Sequence, residues 1–140
     1  MLWVYVLKTK NNTFEAFRTW KTLVENQKNK SVKAIRTDNG LEFCNREFNQ
    51  MCKDGGIIRH LIASRNSKQN GVVERMNRTL LERVRCMTFH AQVPKTLCGE
   101  ATAAAAHVLN RTPSKAISLQ TPYEKWTGHK PSLIHLRVFS

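Results

Sequence analysis

Two carboxylates are placed where they could do chemistry. Asp38 ends the run "VKAIRTDNGLEF" (residues 32–43), and Glu74 lies in "KQNGVVERMNR", with thirty-five residues between them. Two-metal phosphoryl transfer needs hard, negatively charged oxygen ligands, brought from different elements, to hold two cations about 4 Å apart around the scissile phosphate. Asp and Glu supply that charge; Asn and Gln do not. Asp is scarce here: of ten acidic residues only Asp38 and Asp54 are Asp. Each carboxylate also has a plainer reading. Asp-Asn-Gly makes a good hairpin turn, because Asn and Gly tolerate positive φ and Asp accepts bonds from the amides that follow it. Glu74 can be a capping glutamate in the first turn of a helix whose cap is Gly71, where negative charge is favoured.

The elements that would carry these residues can be read along the chain. "MLWVYVLK" is β-branched and aromatic and predicts a strand apolar on both faces. Asn12 can cap a helix, with Glu15 as its capping partner, over which Phe14, Phe17 and Val24 recur at helical spacing before the pattern fades in "NQKNK". The strand that delivers Asp38 follows. "NREFNQMCKDGG" predicts a short helix with Phe48, Met51 and Cys52 on one face and Gly55 at its end, and "GIIRHLI" a third strand. "ASRNSKQN" (residues 63–70) is a polar loop of the kind that makes contacts.

From Gly71 to about Ala91 the chain reads as a long helix, with Val73, Met76, Leu80, Val84 and Met87 on one stripe and Arg75, Arg78 and Arg85 on another, broken by Glu82. A second long helix begins near Pro94, turns Leu97, Ala101, Ala104 or Ala105, and Val108 inward, and ends before "NRTP". "TPYEKWTG" predicts a compact helix with Thr121 as cap, Pro122 first and Gly128 as stop. "LRVFS" is a last strand. Strands first and helices later make the class α/β or α+β, in a single domain spanning 1–140.

The charge balance narrows the partner. Twenty-three Lys and Arg against ten acids give +13, a field that attracts a polyanion, and nucleic acid above all. The four cysteines form no C-x-x-C pair, which disfavours a disulfide framework or a zinc knuckle and predicts reduced, mostly buried thiols. No apolar run is long enough to span a bilayer, so no membrane partner is expected. No RNP-like or KH-like motif points to an RNA-binding module.

Taken in order, "WVYVLKTK", "IRTDNGLEF", "QNGVVERMNRTLLERVR", "LNRTPSKAI", "TPYEKWTGHKPS" and "HLRVF" give a sequence that resembles the integrase catalytic core of Copia-type retrotransposons, those of plant genomes in particular. The resemblance implies an α/β, ribonuclease-H-like fold, a mixed sheet flanked by helices, with a D,D-35-E triad. It implies that Asp38 is the second catalytic Asp and Glu74 the catalytic Glu, both ligands of Mg²⁺ or Mn²⁺ in a two-metal site. Arg65, Lys68, Gln69 and Asn70 match a mobile loop that contacts the element's DNA end, and Arg75 and Arg78 then become a phosphate rail. The implied reaction is DNA integration: water trims the 3′ end of the element's DNA, and that 3′-hydroxyl attacks a target strand. DNA ends, target DNA and a homo-multimer are the implied partners, and the nucleus the implied place of action.

The resemblance also sets an expectation of deficiency. The family's first Asp belongs to a strand just upstream of "WVYVLK", and this chain begins after it. The sheet would lack its first strand and the metal site one ligand, so the polypeptide is expected to be inactive and marginally stable. Ser67 and Lys68 replace the family's Pro-Gln, Cys98 replaces a Trp, and Ser140 replaces a Gly, which fits a fragment of a decaying polyprotein gene. The other reading is a non-catalytic, basic nucleic-acid-binding remnant.

Overall fold

The computed structural model describes residues 1–38, 40–62 and 67–139, apart from the side chains of 62, 67–70 and 95. The chain divides into two compact units, Leu7–Val72 and Met1–Val6 with Val73–Ser140. Each has its own buried cluster.

In the unit Leu7–Val72, α1 (Thr13–Lys28) comes after a 3₁₀ turn at Lys10–Asn12. Asn12 does not cap it. Its backbone is already helical, at φ −79° and ψ 0°, whereas a capping side chain needs an extended backbone to reach the first amides. Asn12 Oδ1 instead accepts from Thr9 Oγ1 at 2.6 Å, and Glu15 pairs with Arg18 at 2.8 Å. The helix closes on Asn29, which takes the left-handed conformation at φ 49°. Glu25 anchors the segment beyond the helix, accepting from Lys21 Nζ at 2.7 Å and from the Val32 amide at 2.7 Å.

β1 (Ala34–Asp38) and β2 (Ile58–Ile62) form a parallel pair in register from Ala34↔Ile58 to Asp38↔Ile62. A hairpin at Asp-Asn-Gly is therefore ruled out: parallel strands need a crossover, and α2 (Arg46–Asp54) supplies it. Asn45 caps α2 by accepting from the Phe48 amide at 2.9 Å. Ile35, Cys52 and Ile57 form the cluster between α2 and the sheet, with Phe17, Val32 and Met51 packed against it. Phe48 is wholly buried, ringed by Phe14, Phe17 and Phe43 at centroid distances of 5.1, 5.2 and 5.5 Å. Arg59 donates from Nη2 to the Phe43 carbonyl at 2.5 Å and from Nη1 to Asn49 Oδ1. It thereby ties β2 to the turn after β1 and to α2.

In the other unit, α3 (Ser67–Ala91), from Val73 onward, lies with α4 (Cys98–Arg111) around Leu80, Val84, Ala101, Ala105 and Ala106. Ala101, Ala105 and Ala106 are the residues α4 buries in this cluster. α5 (Pro122–Thr127) starts as expected, with Thr121 Oγ1 accepting from the Glu124 amide at 3.0 Å, and stops at Gly128, φ 82°.

Neither expected terminal strand pairs with a backbone partner among the described residues. Strand propensity is realised only where a ladder partner exists. Residues 2–6 are held by side chains instead. Leu2 and Val4 pack on the α3–α4 cluster, Val6 lies against Gly99, and Trp3 meets Trp126 edge-on at 4.9 Å. The buried Asn110 acts as a one-residue ladder: its Oδ1 accepts from the Leu2 amide at 2.8 Å, and its Nδ2 donates to the Leu2 carbonyl at 2.7 Å.

Candidate active site and nucleic-acid interface

Asp38 is the last residue of β1, and its carboxylate is exposed. Alternation along the strand turns Ile35 into the α2 cluster and leaves Asp38 on the opposite face. Its Oδ1 accepts from the Gly40 amide at 3.1 Å, the local turn bond foreseen in the sequence. Gly40 itself has φ −58°, so its lack of a side chain serves another purpose. A Cβ there would stand 3.0 Å from Asp38 Oδ1, 3.0 Å from Glu42 Oε2 and 2.9 Å from Glu42 Cδ. The glycine is thus a cradle between two carboxylates. Asp38, Gly40 and Glu42 line a concavity of about 680 Å³ together with Lys10, Asn11 and Asn45.

Glu74 is carried by α3, and the structure changes its reading. The helix begins at Ser67, four residues before Gly71. Glu74 is therefore about 10 Å along the helix axis, beyond the first turn in which a cap or the helix dipole would explain it. It is exposed. At helical spacing it shares a face with Arg78, Glu82 and Arg85, away from the buried Leu80 and Val84. Arg75 and Arg78 are exposed as well. Val73 and Met76, expected in the apolar stripe, are exposed at 52% and 40%.

Lys68, Gln69 and Asn70, expected in a loop, belong to the first turn of α3 instead. A run without large apolar side chains gives no periodicity to announce a helix, yet none of these residues prevents one from extending. Arg65 lies outside the described residues.

Asp38 and Glu74 fall in different compact units, and each is placed within its own. Among the described residues no group of three or more His, Cys, Asp or Glu could hold a metal ion. The donors around Gly40 nonetheless suit a hard divalent cation in kind, being carboxylate oxygens on an open depression. Two further features were missed in the sequence. Arg59 acts sixteen residues from Phe43, a separation no local pattern reports. The cysteines are mostly not buried: Cys44, Cys86 and Cys98 are exposed and only Cys52 is buried, where desolvation pushes its thiol pKa up. A thiol on a helix face carries no sequence signal of which way the face turns.

No family model matches the chain. It is 41% identical over 138 residues to a retrovirus-related Pol polyprotein from transposon TNT 1-94 of Nicotiana tabacum. That alignment takes in 99% of this chain and 10% of the polyprotein, so the chain spans about a tenth of its relative's length. Among solved structures, a chain of the simian T-cell lymphotropic virus intasome aligns with a TM-score of 0.65 and 19% identity, over 94% of this chain and 44% of that one. The HTLV-2 integrase catalytic core domain, in complex with magnesium in a trimeric form, aligns with a TM-score of 0.61 and 24% identity, over 84% of this chain and 70% of that one.

The fold is accordingly α/β and ribonuclease-H-like, that of an integrase catalytic core. Within that class, the chain is a homologue of Copia-type retrotransposon Pol polyproteins of plants, matched over nearly its whole length. No helix among the described residues is long and apolar enough to cross a membrane.

Proposed function

We propose that this chain is the DNA-joining core of a retrotransposon integration system, acting on DNA by divalent-metal-dependent 3′-end processing and strand transfer. The observation that carries the reading is Asp38. It is an exposed carboxylate at the carboxyl end of a parallel strand, at the edge where α/β sheets present ligands, in a chain 41% identical to a transposon Pol polyprotein. Asp38 and Glu74 are the cation-holding pair of this proposal. A bound Mg²⁺ or Mn²⁺ would supply charge neutralisation at the phosphate and a more acidic attacking hydroxyl. Arg75 and Arg78, with Lys68, Gln69 and Asn70 in the first turn of α3 and Arg65 before them in the sequence, would hold the DNA backbone so that the attacking oxygen lies in line with the bond to be broken. Their contribution is positioning and charge, which suffices for phosphoryl transfer because the protein forms no covalent intermediate.

The polypeptide by itself is proposed to bind DNA without joining it, Asp38 and Glu74 being the two carboxylates this proposal assigns to the site. A homo-multimer is part of the proposal, since integration acts on two DNA ends, and so is a nuclear place of action, since chromosomal DNA is the target. The test adds an upstream strand carrying an Asp and measures Mg²⁺- and Mn²⁺-dependent nicking of a labelled duplex. Asp38→Asn and Glu74→Gln should each abolish nicking while leaving DNA binding in place. Full nicking by either variant would overturn the reading. Strand transfer by the unextended chain would overturn the assignment of only two carboxylates to it.

A further inference from the structure

The far end of α3 carries a feature that the paired carboxylates and the phosphate rail leave unused. Phe89 is 86% exposed, on the helix face opposite the buried Leu80 and Val84. An aromatic side chain so fully in water gains nothing from the fold and leaves about 150–250 Å² of apolar surface unburied. Arg85 lies one turn before it and Arg78 two turns before that, so the three share a face at i, i+7 and i+11. Beside Phe89 is a cavity of about 630 Å³ lined by Arg85, Cys86, Thr88, Val93 and Cys98. Its walls are mostly apolar, and Arg85 is the cation among them.

We propose that this end of α3 receives an unpaired nucleotide, with Phe89 stacking on the base and Arg85 on its phosphate. Three observations carry the assignment. The chain bears +13, so a polyanion is the complementary partner. Arg78 and Arg85 precede the aromatic along one helix face, with Glu82 between them, and the eleven residues from Arg78 to Phe89 span about 16 Å of axis, a few nucleotides of strand. The cavity beside the ring is large enough for a base and too apolar for a phosphate. An exposed aromatic interleaved with cations is how proteins hold single strands without reading sequence, because every base has a π-face. The inference rests on the proposed function in one respect, that α3 is a DNA-contacting helix, and names the form of DNA its distal half would take: the unpaired tail of a frayed or processed end.

The test is fluorescence anisotropy of the 140-residue chain with two labelled probes, a blunt duplex and the same duplex with a short single-stranded tail, across a salt series. The wild-type chain is expected to prefer the tailed probe. Phe89→Ala should weaken tailed-probe binding about tenfold and leave blunt-duplex binding unchanged, while Phe89→Trp should retain the preference and show emission quenching on binding. Arg85→Gln should lower the salt slope on the tailed probe by about 1. Because Phe89 is exposed, its replacement should not alter the urea midpoint, which is measured alongside. Equal binding of both probes by Phe89→Ala and wild type would overturn the assignment. So would sedimentation showing that Phe89→Ala only dissociates a dimer, because the surface would then be a contact between copies of the chain. If the wild-type chain binds neither probe, the DNA-contacting role of α3 fails as well, whereas duplex binding lost in Arg75→Gln with Phe89→Ala silent would preserve that role and sink only this proposal.

Discussion

Asn110→Ala should be among the most damaging substitutions in its unit, although Asn110 touches nothing catalytic. Its side-chain amide closes a two-bond ring with Leu2, accepting at 2.8 Å and donating at 2.7 Å, and the residue is only 5% exposed. Each such bond contributes about 0.5–1.5 kcal/mol, and a buried polar group left without a partner costs about 1–3 kcal/mol. The Leu2 backbone is half-buried and can rehydrate in part, so the expected loss is about 2–4 kcal/mol. That is a large share of the stability of a small unit. Asn110→Asp sharpens the test. The new carboxylate can accept from the Leu2 amide, but it faces the Leu2 carbonyl without a proton to donate. Burial and that carbonyl raise its folded pKa above the unfolded value of about 3.9. The variant's stability is then fully present below the unfolded pKa and is lost as pH rises through the folded pKa.

Urea denaturation by tryptophan emission, in a Trp20→Phe background so that Trp3 and Trp126 report, measures both variants. Removing residues 1–6 from the Asn110→Ala variant should cost less than the same removal costs the wild type, because both changes act on one contact. A loss below about 0.5 kcal/mol for Asn110→Ala, the range of ordinary surface substitutions, would refute the reasoning, as would a pH-independent Asn110→Asp.

Gly40→Ala should displace the Asp38 and Glu42 carboxylates at a stability cost of about 1 kcal/mol or less, since the added Cβ meets Asp38 Oδ1 and Glu42 Oε2 at 3.0 Å and both are side-chain ends that can turn aside; Glu42→Ala should restore part of the loss in chemical denaturation, and no restoration would place the strain elsewhere. Phe48→Ala should lower stability by about 3–5 kcal/mol, given its complete burial among three other rings, with loss of near-ultraviolet circular dichroism. The hydrogen bonds from Lys21 and Val32 hold the Glu25 carboxyl below the ordinary glutamate range. Glu25 therefore contributes stability that is present above the unfolded pKa of about 4.3 and is lost as pH falls through the folded value. The gap between wild type and Glu25→Gln should shrink on acidification, and a gap that stays constant from neutral to acidic pH would count against it.

Much of the framework was legible along the chain wherever its causes are local. The stop of α2 at Gly55 and the start and stop of α5 at Thr121 and Gly128 rest on bonds within three or four residues, and the residues themselves announce them. The strand ending in Asp38 and the turn bond to Gly40 are of the same kind. The hidden features act across distance or through the absence of a signal. The start of α3 at Ser67 lies in a polar run with no periodicity. Arg59 finds its partners only because β2 returns beside β1. Asn110 looks like the polar end of a helix until Leu2, 108 residues away, lies against it.

By itself the sequence determined composition, charge and the order of most elements, and it placed thirty-five residues between Asp38 and Glu74. The tertiary structure decided that the space beside Gly40 is taken by the Asp38 and Glu42 carboxylates and that the glycine does not serve a left-handed turn. It also decided that Glu74 is too far along α3 to serve as its cap, and that a side-chain amide holds the amino-terminal segment where a neighbouring strand was expected. The physical reason is that short-range bonds depend on residues a few positions apart, whereas crowding, burial and partner choice depend on which distant backbone arrives at the same place.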